Sequence, residues 1–279
     1  MLTMAIPNKG VLLKPTLDLL GRAGFTPREF SDRKLCVETD FGEMKFLLMR
    51  TEEVGGYGES GVADLGITGQ DLIAEKGCDV DELLELNYGK CKLVLAGQEG
   101  AQLENGARIA TKFGNLAGEY LEGKGIEAEV IDSQGSTEIK PLLGLADFII
   151  DISSTGSTLS KNGLVVYDTI YESQAALVAN RKALAEKEAA VNEVIVAVQS
   201  VLLAENKSYI MFNISKATLE NIMDKIPCMR SPTVVPTGDE EIVSVQTVVP
   251  TDDVSRTINR LKGYGTTDIL VMDIQRVVI

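Results

Sequence analysis

The sequence predicts an α/β protein of two alternating strand–helix units followed by a ferredoxin-like module. Three observations carry this prediction. Over the first two-thirds of the chain, short apolar runs of strand character alternate with helical stripes, which implies parallel sheets with crossover helices. Residues 206–279 instead read strand, helix, strand, strand, helix, strand. The length, 279 residues, fits two or three domains.

Taken in order, residues 2–6 form the first strand, and Pro7-Asn8-Lys9-Gly10 is a tight turn. Leu12, Leu13, Leu17, Leu20 and Ala23 make a helical stripe stopped by Gly24. A strand over 45–49 ends at Arg50, residues 53–61 form a short glycine-broken helix or loop, and 64–68 is a strand. Gly69-Gln70-Asp71 opens the next helix. A second unit begins near Tyr88, with strands over 92–96, 108–110 and 129–131 and a helix between the last two that ends by Gly123. Ser136 or Thr137 is placed to cap a short helix. The apolar run Phe148-Ile149-Ile150 is a buried strand, and a helix opens at Leu159 and closes at Asn162-Gly163. Ala175 to Ala179 reads as a strand. A single long helix over 183–205 follows, with Val191, Val194, Ile195, Val198, Val201 and Leu202 on one face. The last module is read as strands over 209–214, 234–235, 242–249 and 269–274, with helices over 216–225 and 252–262.

Composition narrows the chemistry. Hydrophobic residues make up 44% of the chain, enough for a packed core, and no apolar run reaches the roughly 18 residues of a membrane span. The first residues read as a strand rather than a signal peptide, so a cytoplasmic location is expected. Cys36, Cys78, Cys91 and Cys228 fit neither a metal motif nor a disulfide framework and read as buried or incidental thiols. Histidine is absent, which excludes His general bases, His-activated nucleophiles and His-ligated metals. The net charge of −14 argues against a general nucleic-acid surface.

Residues 138–159 concentrate the functional signal. A buried strand ends in Asp151. A turn of hydroxyls and glycine follows (Ser153, Ser154, Thr155, Gly156, Ser157 and Thr158), and then a helix start. Unpaired N–H groups and the helix dipole make such a start an anion cradle. Gly156 lets the backbone approach a ligand closely. Asp151 is placed to accept hydrogen bonds from sugar hydroxyls, so the arrangement suits a ribose 5-phosphate. In an acidic chain, Lys9, Arg50, helix N-termini and a Mg²⁺ arriving with the substrate are the available positive charges.

Four ordered segments together resemble one family. They are AIPNKG at 5–10, ADLGITGQD at 63–71, RIATKFGNL at 108–116, and the stretch from Glu138 through Gly144, Ala146, Ile149, Asp151, Thr155-Gly156 and Thr158-Leu159. The resemblance is to the ATP phosphoribosyltransferases of histidine biosynthesis. With Ser231-Pro232-Thr233 in the last module, it extends to the long form with a C-terminal regulatory domain, and so covers essentially the whole chain. It implies a two-lobed core like the type II periplasmic binding proteins, plus an ACT- or PII-like C-terminal domain. The implied boundaries are 1–87 with 182–205 for the first catalytic domain, 88–181 for the second, and 206–279 for a histidine-binding regulatory domain.

The resemblance also implies a reaction. Adenine N1 of ATP attacks C1 of phosphoribosyl pyrophosphate, pyrophosphate leaves, and histidine inhibits. Asp151 would then hold the donor's ribose hydroxyls, and Ser154, Thr155, Gly156, Ser157 and Thr158 its 5-phosphate. Lys9 and Arg50 would face the pyrophosphate or triphosphate. Asp71 reads equally as a contact to ribose or a nucleotide amine and as a plain helix cap. Glu138 reads equally as a substrate contact and as a cap. Thr233, with Met229 and Arg230, is the candidate effector site. Mg²⁺ would be held mainly through substrate phosphates, and a homo-oligomer, dimer and hexamer, is implied. Two departures stand out: serine at 154, where the family often has an acid, and at 157, where it often has a base. They shift phosphate binding toward backbone amides. The competing readings are a phosphoribosyltransferase for another base and a cleft-type solute-binding or sensor protein, which shares the two-lobed architecture.

Overall fold

The computed structural model describes residues 1–30, 34–40, 42–153 and 156–279. The chain forms two compact units, Met1–Ile195 and Val196–Ile279. The first unit holds two sheets.

The first sheet is begun by β1 (Leu2–Pro7), β2 (Cys36–Glu38), β3 (Met44–Met49), β4 (Leu65–Gly69) and β5 (Asp81–Glu85). Helices α1 (Leu13–Arg22), α2 (Val54–Glu59) and α3 (Gln70–Lys76) lie between them. β1 pairs in parallel with β3 and β4, and its residues from Met4 to Pro7 are all buried, as a strand covered on both faces requires. The chain then enters the second sheet through β6 (Cys91–Gln98), β7 (Arg108–Thr111), α4 (Gly114–Lys124), β8 (Glu129–Asp132), β9 (Phe148–Ser153), α5 (Ser157–Lys161) and β10 (Leu164–Ser173). It returns along β11 (Ala175–Ala179).

The strand orders are β2-β3-β1-β4-β11-β5 and β10-β6-β9-β7-β8. Both lobes follow one plan: three parallel strands in the order second, first, third, then an antiparallel strand delivered from the other lobe, then a further strand. This is the expected two-lobed, type II periplasmic-binding-like core.

The structure corrects several sequence expectations. The sheets are mixed, not purely parallel, because β6, β10 and β11 run against their neighbours. Strands β2, β5 and β10 were not foreseen. β10 is largely exposed and lacks both an apolar run and a clean alternation. β11 pairs with β4 and β5, so residues 175–179 join the first sheet and not the 88–181 lobe. All five of its residues are buried, and a short apolar strand carries no mark of which sheet it enters. The long helix is two, α6 (Arg181–Glu186) and α7 (Glu188–Ala204). The break falls at Lys187 (φ −127°), whose ammonium is drawn to Asp64 at 2.7 and 2.8 Å. Asn180 caps α6, its Oδ1 accepting from the amides of Lys182 and Ala183.

The second unit carries β12 (Lys207–Ser215), α8 (Lys216–Ile222), β13 (Thr233–Pro236), β14 (Ile242–Pro250), α9 (Val254–Gly263) and β15 (Thr267–Asp273). The sheet order is β13-β14-β12-β15, antiparallel throughout, which is the expected ferredoxin-like arrangement. Strict alternation along β12 and β14 buries Ile210, Phe212, Ile214, Val243, Val245 and Val249 against Leu219, Ile222 and Leu261 of the two helices.

Among the described residues no helix is long and apolar enough to cross a membrane. The four cysteines are all free, and Cys36 is exposed.

Candidate active site

Register places the crossing segments at corresponding strand ends in the two sheets. Lys92, at the start of β6, pairs with Ser153 at the end of β9. Ala175, at the start of β11, pairs with Gly69 at the end of β4. Each crossing segment therefore begins beside the carboxyl ends of the parallel strands it joins. Those ends are where α/β sheets collect ligand-binding groups.

The first lobe supplies Lys9 after β1, Arg50 after β3 and Asp71 in the first turn of α3. Lys9 and Arg50 are both exposed, and Arg50 stands 4.0 Å from Glu52. Among the described residues, neither is joined to the second lobe by an ion pair. Asp71 behaves differently. It is buried, its Oδ1 accepts from Ser173 Oγ at 2.6 Å, and its backbone N–H donates to the same oxygen at 3.0 Å. Asp71 thus latches α3 to the end of β10.

The second lobe supplies Asp151. Its Oδ1 accepts from the Ile152 amide at 2.8 Å. Burial pushes this carboxyl above the ordinary aspartate range. The Ile152 N–H and the Lys112 charge pull it back, and Glu138 pushes it further up. Glu138, in the 3₁₀ turn Thr137–Ile139 after β8, is therefore an electrostatic neighbour of Asp151. Neither proposed cap of that turn operates. Ser136 sits in the left-handed region (φ 48°) with no capping hydrogen bond, and Thr137 Oγ1 is paired with Ser133 Oγ at 2.9 Å.

β9 continues past Asp151 to Ser153, whose hydroxyl accepts from the Gly156 amide at 2.9 Å. Gly156 has φ +72° and open space where a Cβ would stand. Its conformation therefore requires glycine, in addition to the close approach expected from sequence. Ser154, Thr155 and the Ser157 side chain lie outside the described residues. Thr158 is exposed in α5, and Leu159 anchors the turn in a core with Ile149, Ala146 and Leu164. Helix α5 has five residues, so its dipole is weaker than a full helix would give. Gly156→Val is expected to weaken donor binding about tenfold or more, because a β-branched residue at positive φ is strained by roughly 1–3 kcal/mol. Titration calorimetry with phosphoribosyl pyrophosphate checks this, and unchanged affinity would refute the cradle.

A cleft of about 450 Å³ lies between the crossing segments, and its lining includes Gln70, Lys90, Cys91 and Ser173. Burial and the Asp71 charge push the Cys91 thiol up, while a Ser173 hydrogen bond and the Lys112 charge hold it down. Asp71 and Lys112 thus both act on Cys91, and Lys112 also acts on Asp151. The sequence reading gave no role to Lys112, Cys91 or Ser173. For Lys112 the sequence shows only a cation directly after a buried strand, which is an ordinary pattern.

In the C-terminal domain, Met229, Arg230 and Thr233 line one cleft of about 410 Å³ with Tyr209, Gln246 and Thr247.

Comparison with known proteins bears on what this arrangement does. A family model described as ATP phosphoribosyltransferase matches residues 50–226, and one described as HisG, C-terminal domain, matches 204–276. The chain belongs to the ATP phosphoribosyltransferase family. It is 40% identical to the ATP phosphoribosyltransferase of Methanothermobacter thermautotrophicus, over 99% of this chain and 98% of that one. It is 38% identical to that of Methanocella arvoryzae over the full length of both. A solved ATP phosphoribosyltransferase (HisG:HisZ) complex from Thermotoga maritima superposes with a TM-score of 0.66 at 32% identity, covering 71% of this chain and 97% of that one. The chain is accordingly a transferase of histidine biosynthesis that condenses ATP with phosphoribosyl pyrophosphate, and its family is one that uses metal ions.

Proposed function

We propose that the ribose and 5-phosphate of phosphoribosyl pyrophosphate bind along Asp151 to Thr158 and that ATP lies across the junction toward Lys9, Arg50 and Asp71. The observation that supports this most is the half-buried Asp151 carboxylate near the end of β9 together with the Ser153 hydroxyl held by the Gly156 amide and the positive φ of Gly156. Adenine N1 is itself a nucleophile, so no strong base is needed. The N1–C1 bond forms as the C1–oxygen bond to pyrophosphate breaks, and the electron pair leaves with pyrophosphate. Asp151 fixes the ribose by accepting from its hydroxyls. Lys9 and Arg50 offset phosphate charge from the facing lobe. Gathering two polyanions in one orientation supplies much of the rate, up to about 7–11 kcal/mol in ideal cases.

Among the described residues no group of three acidic or Cys side chains forms a metal cage. A Mg²⁺ carried in on substrate phosphates would draw on Asp151 and Glu138 as carboxylate donors, since Mg²⁺ favours one or two carboxylates plus phosphate oxygens. When bound, the ion neutralises the departing pyrophosphate. The test mixes the protein with ATP, phosphoribosyl pyrophosphate and Mg²⁺. Pyrophosphate release that requires both substrates is expected, and release without ATP overturns the reading.

The second unit is proposed to bind histidine in the cleft of Met229, Arg230 and Thr233, where Arg230 would meet the effector carboxylate and Thr233 a polar group. Arg230→Ala is expected to raise the histidine concentration for half-inhibition by about tenfold, with uninhibited turnover unchanged. Equal inhibition of variant and parent would move the effector elsewhere. The homo-oligomer, dimer and hexamer, belongs to the same proposal, and analytical ultracentrifugation with and without histidine tests it.

A further inference from the structure

We infer that Lys112 is a phosphate-contacting residue of the donor site and supplies the side-chain cation that the loop from Asp151 to Thr158 lacks. The inference deepens the proposed placement of the donor and rests on it.

Three independent features place Lys112 there. The first is register. β7 and β9 are adjacent parallel strands with Thr111 opposite Ile150; Asp151 continues β9, and Lys112 is the first residue past the end of β7. The Lys112 charge is felt at Asp151 and also at Cys91, where β6 begins.

The second feature is availability. Lys112 is exposed and has no carboxylate within ion-pair distance among the described residues. Three other basic side chains of this lobe are committed to ion pairs. Lys92 pairs with Glu172 at 2.7 Å, Lys124 with Asp168 at 3.0 Å, and Arg108 with Asp147 at 2.8 Å.

The third feature is restraint. The Lys112 ammonium lies 5.0 Å from the ring centroid of Phe113, which is 1% exposed and cannot move away. The Phe113 amide in turn donates to Thr111 Oγ1 at 2.9 Å, which fixes the turn. The neighbouring helix start cannot do the same work. The amides of Asn115 and Leu116, in the first turn of α4, both donate to the Glu75 carboxylate at 3.0 Å. With those amides taken and α5 only five residues long, a mobile phosphate-bearing substrate meets Lys112 as the positive group next to Asp151.

The chemistry that suits Lys112 is a phosphoryl or pyrophosphoryl oxygen of the donor, not the adenine of ATP. The test measures binding of phosphoribosyl pyrophosphate and of ATP, separately, to the full chain and to Lys112→Met and Lys112→Arg, alongside steady-state turnover and Tm. Lys112→Met is expected to weaken donor binding about tenfold, equivalent to about 1.4 kcal/mol, and to make the remaining affinity less salt-dependent. ATP affinity and Tm should stay as in the parent, and Lys112→Arg should recover most of the loss. Unchanged donor affinity in Lys112→Met overturns the inference, as does a loss that falls equally on ATP. If the parent chain binds the donor but makes no phosphoribosyl-ATP, the reaction fails while the Lys112 inference stands or falls on the binding data alone.

Discussion

Asp151→Asn lowers kcat/KM for phosphoribosyl pyrophosphate by about 100-fold while leaving Tm unchanged or slightly raised. The loss follows from what the carboxylate does in the site. A hydrogen bond to a charged group is worth roughly 1.5–3 kcal/mol, and a 100-fold loss corresponds to about 2.7 kcal/mol. The amide of asparagine keeps the shape and one acceptor but gives up the charge. The unchanged stability follows from the direction of the pKa shift. Burial raises the Asp151 pKa above its ordinary 3.8. For an acid raised in the folded state, the folded chain binds the proton more tightly than the unfolded chain. The associated stability is therefore fully present below the ordinary value and is lost as pH rises through the raised one. Ionising this half-buried carboxylate works against the folded state, and asparagine removes that cost.

The same shift predicts a pH dependence. Donor affinity of the parent chain falls as pH drops through the raised Asp151 pKa, a window lying above 3.8. The Asp151→Asn variant lacks this limb. Comparing the two side by side removes the titration of the donor's own phosphate, which has a second pKa near 6. Calorimetric donor affinities of parent and variant across this range decide the point. If both fall in parallel, Asp151 does not contact the donor.

What the sequence revealed and what it hid differ by the kind of signal involved. Strands β1, β4 and β9 were legible because each holds a buried apolar run, with a candidate site residue just after that run. Gly156 was legible as a glycine in a ligand turn, and φ +72° adds the conformational reason. The lobe assignment of β11 was not legible, because AALVA is buried all round and its partners, Gly69 and Glu85 among them, lie about a hundred residues away. The Asp71–Ser173 latch was hidden for the same reason. Its halves are separated by 102 residues, so Asp71 read only as a cap or a substrate contact. In the structure its Oδ1 accepts from the Ser173 hydroxyl, which ties α3 to the end of β10. Lys112 was overlooked because a lysine after a strand is ordinary. Only the register of β7 against β9 sets it beside Asp151.

The largest effect on stability is expected at the break between α6 and α7. Asp64 has a side chain 12% exposed, and both its oxygens meet the Lys187 ammonium, at 2.7 and 2.8 Å. Its Oδ2 also accepts from the Thr3 amide at 2.8 Å, which ties β1 to the segment before β4. Removing one partner of a mostly buried pair leaves the other charge without compensation, at a cost of about 3–5 kcal/mol in fully buried cases. Lys187 is 40% exposed, so solvent screens part of this. Lys187→Met is therefore expected to destabilise the chain by about 2–3 kcal/mol. The double variant Asp64→Asn with Lys187→Met should recover at least half of that loss. With both charges gone nothing remains to desolvate, and the asparagine oxygen still accepts from Thr3. Such non-additivity distinguishes a charge pair from two independent packing contacts, for which the two losses would sum. Urea unfolding of the parent, both single variants and the double variant measures it. Additive losses would mean that the break at Lys187 is set by the local φ of −127° and not by the pull of Asp64.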